Sequence, residues 1–246
     1  MRIELNGDVG EGDGGLAEGQ DPLLIPLLSA VNVACGGHAG DRPSIARAIA
    51  SAIEAGAAVG AHPGYPDREG FGRRHIDLPR AALEASLVVQ IELLATEARS
   101  AGVTLRHVKA HGALYNEATH DAELAALVVR AIAAVDRRLA VVGPPESALT
   151  LAAQDAGLPV MTEGFADRAY EPNGSLRSRS LAGAVHVDPA MAADQALALV
   201  ETGRYATLCI HGDTPGAPAI AAAVRSALEA AGHEVPGGAG RWAPGG

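Results

Sequence analysis

The sequence predicts an α/β fold, a single seven-stranded (β/α)7 barrel of the TIM type. Three observations lead there. Short apolar, β-branched runs alternate with longer helical patterns, which is the rhythm of a parallel sheet. Ionisable residues follow six of the seven runs at their C-terminal ends; a closed barrel gathers those ends around one mouth, whereas an open sheet spreads them along an edge. The length of 246 residues suits one α/β barrel. Residues 1–235 are assigned to the barrel and the Pro- and Gly-rich residues 236–246 to a flexible tail.

In order, strands are expected over residues 3–6, 31–34, 57–61, 105–109, 139–142, 159–162 and 207–210, with a possible short extra one at 184–187. Asp21-Pro22 opens the first helix. Asp41 caps a second, with Ile45, Ile49 and Ile53 on one stripe and Gly56 as its stop. A long helix over 79–100 carries Leu83, Leu87, Ile91 and Leu94. Asp121 or Thr119 opens the next, Pro145 starts another that Gly157 ends, and Asp188-Pro189 begins one that finishes near Gly203. Thr214-Pro215 opens the last, ending at Gly232. Asp or Thr before Pro at one end and Gly at the other is the expected asymmetry of helix termini.

Composition narrows the function. A net charge of −10 argues against nucleic acid or an anionic membrane as partner. Cys35 and Cys209 sit in apolar runs and make no disulfide framework. With no leader pattern and no apolar run near the length of a membrane span, a soluble cytoplasmic protein is expected. Lys109 is the only lysine among 19 basic residues. Arginine is a flat, permanently charged fork, and lysine a compact point charge, so one lysine in such a background marks a place where arginine will not serve.

The chemistry-bearing residues cluster after the strands. Asp8 and Glu11 follow the first, in a loop with a formal GxGxxG over residues 10–15 whose acids would repel a pyrophosphate. Asn32, Cys35, His38 and Asp41 accompany the second. Cys35 at a strand end is a nucleophile if a nearby base lowers its pKa, but a small buried cysteine is the commoner case; Asp41 reads as a helix cap. His62 opens a long loop with Asp67, Arg73 and Arg74, where an arginine could hold a carboxylate or phosphate. Lys109 and His111 close the fourth. Glu163, Asp167 and Arg168 follow the sixth, where the last two read either as site residues or as a local ion pair. His211 and Asp213 follow the seventh, with Thr214 as the expected cap. Histidines and carboxylates converging on one mouth suit acid–base or metal chemistry. No HExxH-like pair is present, so a divalent metal stays an open question.

At these residues the chain resembles the LamB/YcsF family, the A subunits of the bacterial ATP-dependent 5-oxoprolinase. The resemblance rests on N-x-D-x-GEG, NVACG-x-HAGD, GAHPGYPD with GFGRR, VKAHGALYN, GFADRAY and HGDTPGA. Gly7, Gly37 and Ala110 depart from the family's usual cysteine, phenylalanine and proline. The resemblance implies a barrel like those of glycoside hydrolases and deacetylases, and hydrolytic opening of the 5-oxo-L-proline lactam to L-glutamate. ATP is then a co-substrate of a complex with subunits B and C, which activate the lactam by phosphorylation; no P-loop is present here. The catalytic residues expected on this basis are Asp8, Glu11, His62, Lys109, His111 and His211; Asn32, His38, Arg73, Asp167, Arg168 and Asp213 are expected to bind substrate. In that scheme Lys109 and Arg168 neutralise the oxygen or phosphate, Asp8 or Glu11 handles water, and a histidine protonates the ring nitrogen. The rival readings are a metal-dependent amidase or deacetylase acting alone, and a non-catalytic subunit that only holds substrate.

Overall fold

The computed structural model describes residues 1–12, 16–179 and 181–237, with the side chains of 16–18 excepted. Seven parallel strands close into a barrel in sequence order: β1 (Glu4–Val9), β2 (Ala30–Ala34), β3 (Ala58–His62), β4 (His107–Lys109), β5 (Ala140–Gly143), β6 (Val160–Phe165) and β7 (Thr207–His211). β1 pairs with β2 in the register Asp8 to Asn32 and with β7 in the register Asp8 to His211, which completes the closure. All seven expected strands are present. The extra one is not: Val185 makes a single antiparallel bridge to Arg168, outside the barrel.

Eight α-helices among the described residues form the outer layer: α1 (Leu16–Leu24), α2 (Arg42–Ala55), α3 (Arg80–Ser100), α4 (Gly112–Ala118), α5 (Ala122–Val135), α6 (Ala148–Asp155), α7 (Pro189–Glu201) and α8 (Ala217–Ala230). None is long and apolar enough to cross a membrane. α2 begins with a capping box between Asp41 and Ser44 and stops at Gly56 in the left-handed region, as its residues predict. α5 is capped by Asp121, whose carboxylate accepts from the backbone of Glu123 and Leu124.

Four elements differ from expectation. α1 contains Pro22 rather than starting there, because the Asp21 carboxylate accepts a bond from Gly10 N across the loop (2.7 Å) instead of capping. α6 is capped by Ser147, not opened at Pro145. α8 starts after Gly216, and the Thr214 hydroxyl donates to Asp167 (2.7 Å). α4 has no counterpart in the sequence pattern; it turns the residues after Lys109 back along the mouth. Residues 13–15 of the glycine-rich loop and 238–246 of the expected tail lie outside the described residues. Pro236, at the start of that tail, accepts hydrogen bonds from Ser29 and Arg225.

The strand pleat sends alternate residues inward, and here many of those are polar. Asn6 donates to Thr207 (2.8 Å), Asn32 donates to Asn6 (2.7 Å) and to Asp8 (2.8 Å), and His107 Nε2 donates to Asn32 Oδ1 (2.7 Å). This hydrogen-bonded layer fills the barrel beneath the mouth. Gly60 belongs to it by subtraction: a Cβ there would stand 2.1 Å from His107 Nε2. At the opposite end Arg106 reaches the carboxylate of Glu4 and closes the bottom.

Candidate active site

β4 delivers Lys109 to the mouth on its last residue, where its Nζ is almost wholly buried. The ammonium contacts Asp8 (3.0 and 3.3 Å), Cys209 Sγ (2.9 Å) and Glu163 Oε1 (3.2 Å). The Glu163 approach is an ion pair by distance, without the alignment of a hydrogen bond. Glu163 Oε2 accepts from the Tyr115 hydroxyl (2.8 Å). Burial pushes the lysine pKa down, but the charges around it, Asp8 foremost, outweigh this and hold it well above its usual value. Burial pushes Asp8 up, yet His62 and Lys109 together hold it well below the usual carboxylate range. The Cys209 thiol is pushed well above its ordinary value by burial and by Asp8, so it is neutral against the ammonium. Burial raises Cys35 to about 12, which removes it as a nucleophile.

A second cluster adjoins the first. Glu11 Oε1 lies 3.0 Å from His38 Nε2, 3.2 Å from His111 Nδ1 and 3.6 Å from His62 Nε2. Burial pushes Glu11 up, but its hydrogen bonds to His111 and His38 hold it well below the usual range. His38 is driven down to about 3 by burial, then by the neighbouring His111, and is neutral. Its ring stacks on that of His111 with centroids 3.5 Å apart. One atom from each of Glu11, His38, His62 and His111 falls within a 4.8 Å group of metal-type donors, and Asp8, Cys209 and His211 make another. Lys109 stands against two members of the latter.

The third unit is His211, whose Nδ1 is held by Asp167 at 2.9 Å and whose backbone N donates to the same carboxylate at 3.1 Å. The His211 ring stacks on Phe165. Burial pushes Asp167 up, and His211 with Thr214 outweighs that and lowers it. A buried carboxylate behind an imidazole fixes its tautomer and orientation.

All six residues expected to be catalytic line one cavity of about 1070 Å3, together with Arg73, Arg168 and Asp213. Asn32, His38 and Asp167 lie buried behind that lining. Asn32 contacts Asp8, His38 contacts Glu11 and Asp167 contacts His211, each from behind the wall. Asp167 and Arg168 do not pair locally. Asp167 turns to His211, and Arg168 donates to the carbonyls of Ala184 (3.3 Å) and Arg177 (2.7 Å). Arg74 is taken up by Asp67 (2.9 Å), leaving Arg73 at the rim, over the Phe71 ring and paired with Asp213. Arg179 also reaches Asp213, at 3.2 Å.

Sequence reasoning passed over Glu163 and Tyr115 as site residues. Glu163 lies inside β6, two residues from Phe165 on the same face; an acid in an otherwise apolar barrel strand was the available signal. Tyr115 depends on α4, which no periodicity announced. Two of the three departures are accommodated sterically. A Cβ at Gly37 would meet Gln90 Oε1 at 2.2 Å, so glycine leaves room for Gln90, which bonds both backbone groups of Gly64 at 3.0 and 2.9 Å. Gly7 is similarly closed in by Leu28.

Comparison with known proteins agrees with this architecture. The A subunit of a 5-oxoprolinase from Chloroflexus aggregans is 48% identical over 96% of this chain and 98% of that protein. The crystal structure of a lactam utilization protein from Thermus thermophilus superposes with a TM-score of 0.89 at 42% identity, over 96% of this chain and 99% of that one. The catalytic domain of a peptidoglycan N-acetylglucosamine deacetylase from Eubacterium rectale, at 10% identity and a TM-score of 0.53 over 98% of this chain and 88% of that one, shares the fold. The LamB/YcsF family profile matches residues 3–240, and with the barrel, the Lys109 cluster and relatives of this identity spanning nearly its whole length, the chain belongs to the LamB/YcsF family.

Proposed function

We propose that this chain is the A subunit of a 5-oxoprolinase, opening the lactam of 5-oxo-L-proline to L-glutamate in a complex with subunits B and C, at the expense of ATP and in the cytoplasm. The observation that carries the reading is the enclosed Lys109 ammonium at the floor of the cavity, in a chain whose relatives bear that name along their full length. A five-membered lactam is stable and its product recloses, so coupling to ATP is what drives opening. Phosphorylation of the lactam oxygen by the partners makes the ring carbon electrophilic. The cavity then needs a cation at the developing charge, a base for water and an acid for the ring nitrogen.

Lys109 supplies the cation, and Arg73, Arg168 and Arg179 give the cavity wall and rim a positive character suited to a carboxylate or phosphoryl group. Asp8 and Glu11 are held low by their neighbours and are weak bases at rest. The base for water is therefore assigned to His211, oriented by Asp167. Asp8 anchors Lys109, and His211, once it has taken the proton of water, returns it to the leaving nitrogen.

The test is glutamate formation from 5-oxoproline and ATP, with the chain alone and with subunits B and C added. Activity only in the full complex supports the reading. The cluster of Glu11 with three histidines favours one rival, an amidase acting alone; turnover of amides by the isolated chain without ATP would replace the proposal with that rival.

A further inference from the structure

We propose that Glu11, His38, His62 and His111 form a binding site for one divalent transition-metal ion of the zinc type. The inference concerns the same mouth as the proposed ring opening and does not depend on it.

In the neutral rings the hydrogen bonds fix which nitrogens are bare. His62 Nδ1 faces the carbonyl oxygen of Lys109 at 2.7 Å. A carbonyl only accepts, so this nitrogen carries the proton and Nε2 holds the lone pair. His111 Nε2 faces the carbonyl oxygen of Phe71 at 2.9 Å, so the proton is there and Nδ1 holds the lone pair. These two bare nitrogens point at each other across 3.0 Å. Two lone pairs do not attract; a positive centre has to stand between them, either an added proton or a metal.

The distances favour a metal. Of the six separations among the inward atoms, four are 3.0 Å (Glu11 to His38), 3.2 Å (Glu11 to His111), 3.6 Å (Glu11 to His62) and 3.0 Å (His62 to His111), and the ligand atoms all lie within 4.8 Å of one another. Four ligands at about 2.0–2.1 Å from a tetrahedral ion stand roughly 3.3–3.4 Å apart, the edge of that tetrahedron. A proton satisfies one such pair at a time; here one carboxylate oxygen is shared among three imidazoles.

The surroundings are those of a ligand set. Two of the three imidazoles are oriented by backbone carbonyls on the nitrogen away from the centre, as metal-bound histidines are. Three imidazole nitrogens and one carboxylate oxygen suit zinc and its first-row neighbours better than magnesium or calcium, which prefer oxygen. All four side chains are nearly or wholly buried. They come from the ends of four strands and the loops that follow, so no single stretch of sequence announces the site. Glu11, His62 and His111 also border the cavity, which gives a bound ion one face toward the substrate space.

The test uses the full chain alone, without ATP or partners. The protein is stripped with a chelator, dialysed against Zn2+ with elemental analysis, and titrated with Co2+ while the ligand-field absorption is followed. One equivalent of Zn2+, and the intense visible bands of four-coordinate Co2+, are expected. His38→Ala and His111→Ala should each weaken binding by at least about 100-fold, and His75→Ala, at an exposed position away from the cluster, should bind as the wild type does. Zn2+ should also raise the melting temperature of the wild type but not of His111→Ala, a readout that stands even if one variant folds poorly. Substoichiometric binding by the wild type, or full binding retained by both His38→Ala and His111→Ala, would overturn the inference. Neither result bears on ATP-dependent glutamate formation, which is measured separately in the complex, so the two readings fail independently.

Discussion

Replacing Lys109 by methionine keeps the side chain to within one atom of its length and deletes its charge. Asp8 and Glu163, both buried, then lose the cation that stands 3.0 and 3.2 Å away. Removing one partner from a buried ion pair costs about 3–5 kcal/mol, a large part of the ~5–15 kcal/mol that holds a typical domain folded. For a chain of this size each kcal/mol moves the melting temperature by roughly 2–4 °C, so a fall of roughly 6–20 °C is expected near neutral pH. The acid side gives a second check. Lys109 is one of the groups holding Asp8 below its ordinary value. A depressed carboxylate contributes stability above its unfolded pKa, about 3.9, and loses it as pH falls through the folded value. The gap between wild type and Lys109→Met is therefore full above about pH 5 and narrows below about pH 4. Adding Glu163→Gln to the methionine variant should recover part of the loss, whereas Glu163→Gln alone destabilises. Turnover in the complex should fall roughly 10²–10³-fold, the scale for deleting one donor at a developing oxyanion. Thermal and urea melts over pH 3–7 measure the stability. A melting temperature within about 2 °C of wild type, or a gap that Glu163→Gln leaves untouched, would refute the reasoning.

Asp167→Asn should lower kcat at least about tenfold with little change in KM, because His211 loses the carboxylate that sets its tautomer; circular dichroism should show the fold intact. Gly60→Ala should cost about 1–3 kcal/mol or more by overpacking against His107, and in a His107→Ala background the added alanine should cost far less, as denaturant melts will show. Arg73→Ala and Arg179→Ala should raise KM for 5-oxoproline several-fold while leaving kcat nearly unchanged, since both sit at the rim and share Asp213. Asp41→Ala should destabilise by about 0.5–2 kcal/mol through loss of the α2 capping box, without altering kcat.

The strands were legible because β-branched runs ended in polar residues and alternated with capped helices. The mouth was legible because Asp8, His62, Lys109 and His211 each sit at or next to a strand's C-terminal end. Depth was not legible. Asn32, His38 and Asp167 have the residue types of substrate contacts, and only the partners brought from other strands reveal that they stand behind the cavity wall. Glu163 was hidden by a boundary error: ending its strand at residue 162 placed it in a loop, whereas the pleat of β6 turns it toward Lys109. Thr214 looked like a helix cap because a threonine before Pro usually is one; the buried Asp167 carboxylate, 47 positions earlier in the chain, claimed its hydroxyl instead.

The β1–β7 seam has a consequence for how the molecule comes to exist. Asp8 pairs in register with His211, so the first strand made waits for the last. Contacts across such a span form late and slowly. Until β7 docks, Asp8 and Lys109 lack Cys209 as a neighbour, and His211 has yet to reach the Asp167 carboxylate. A growing chain therefore carries the expensive charges of the site before it carries the enclosure that makes them tolerable. A chain cut anywhere before β7 should therefore have no closed barrel, and should give no turnover when subunits B and C are added.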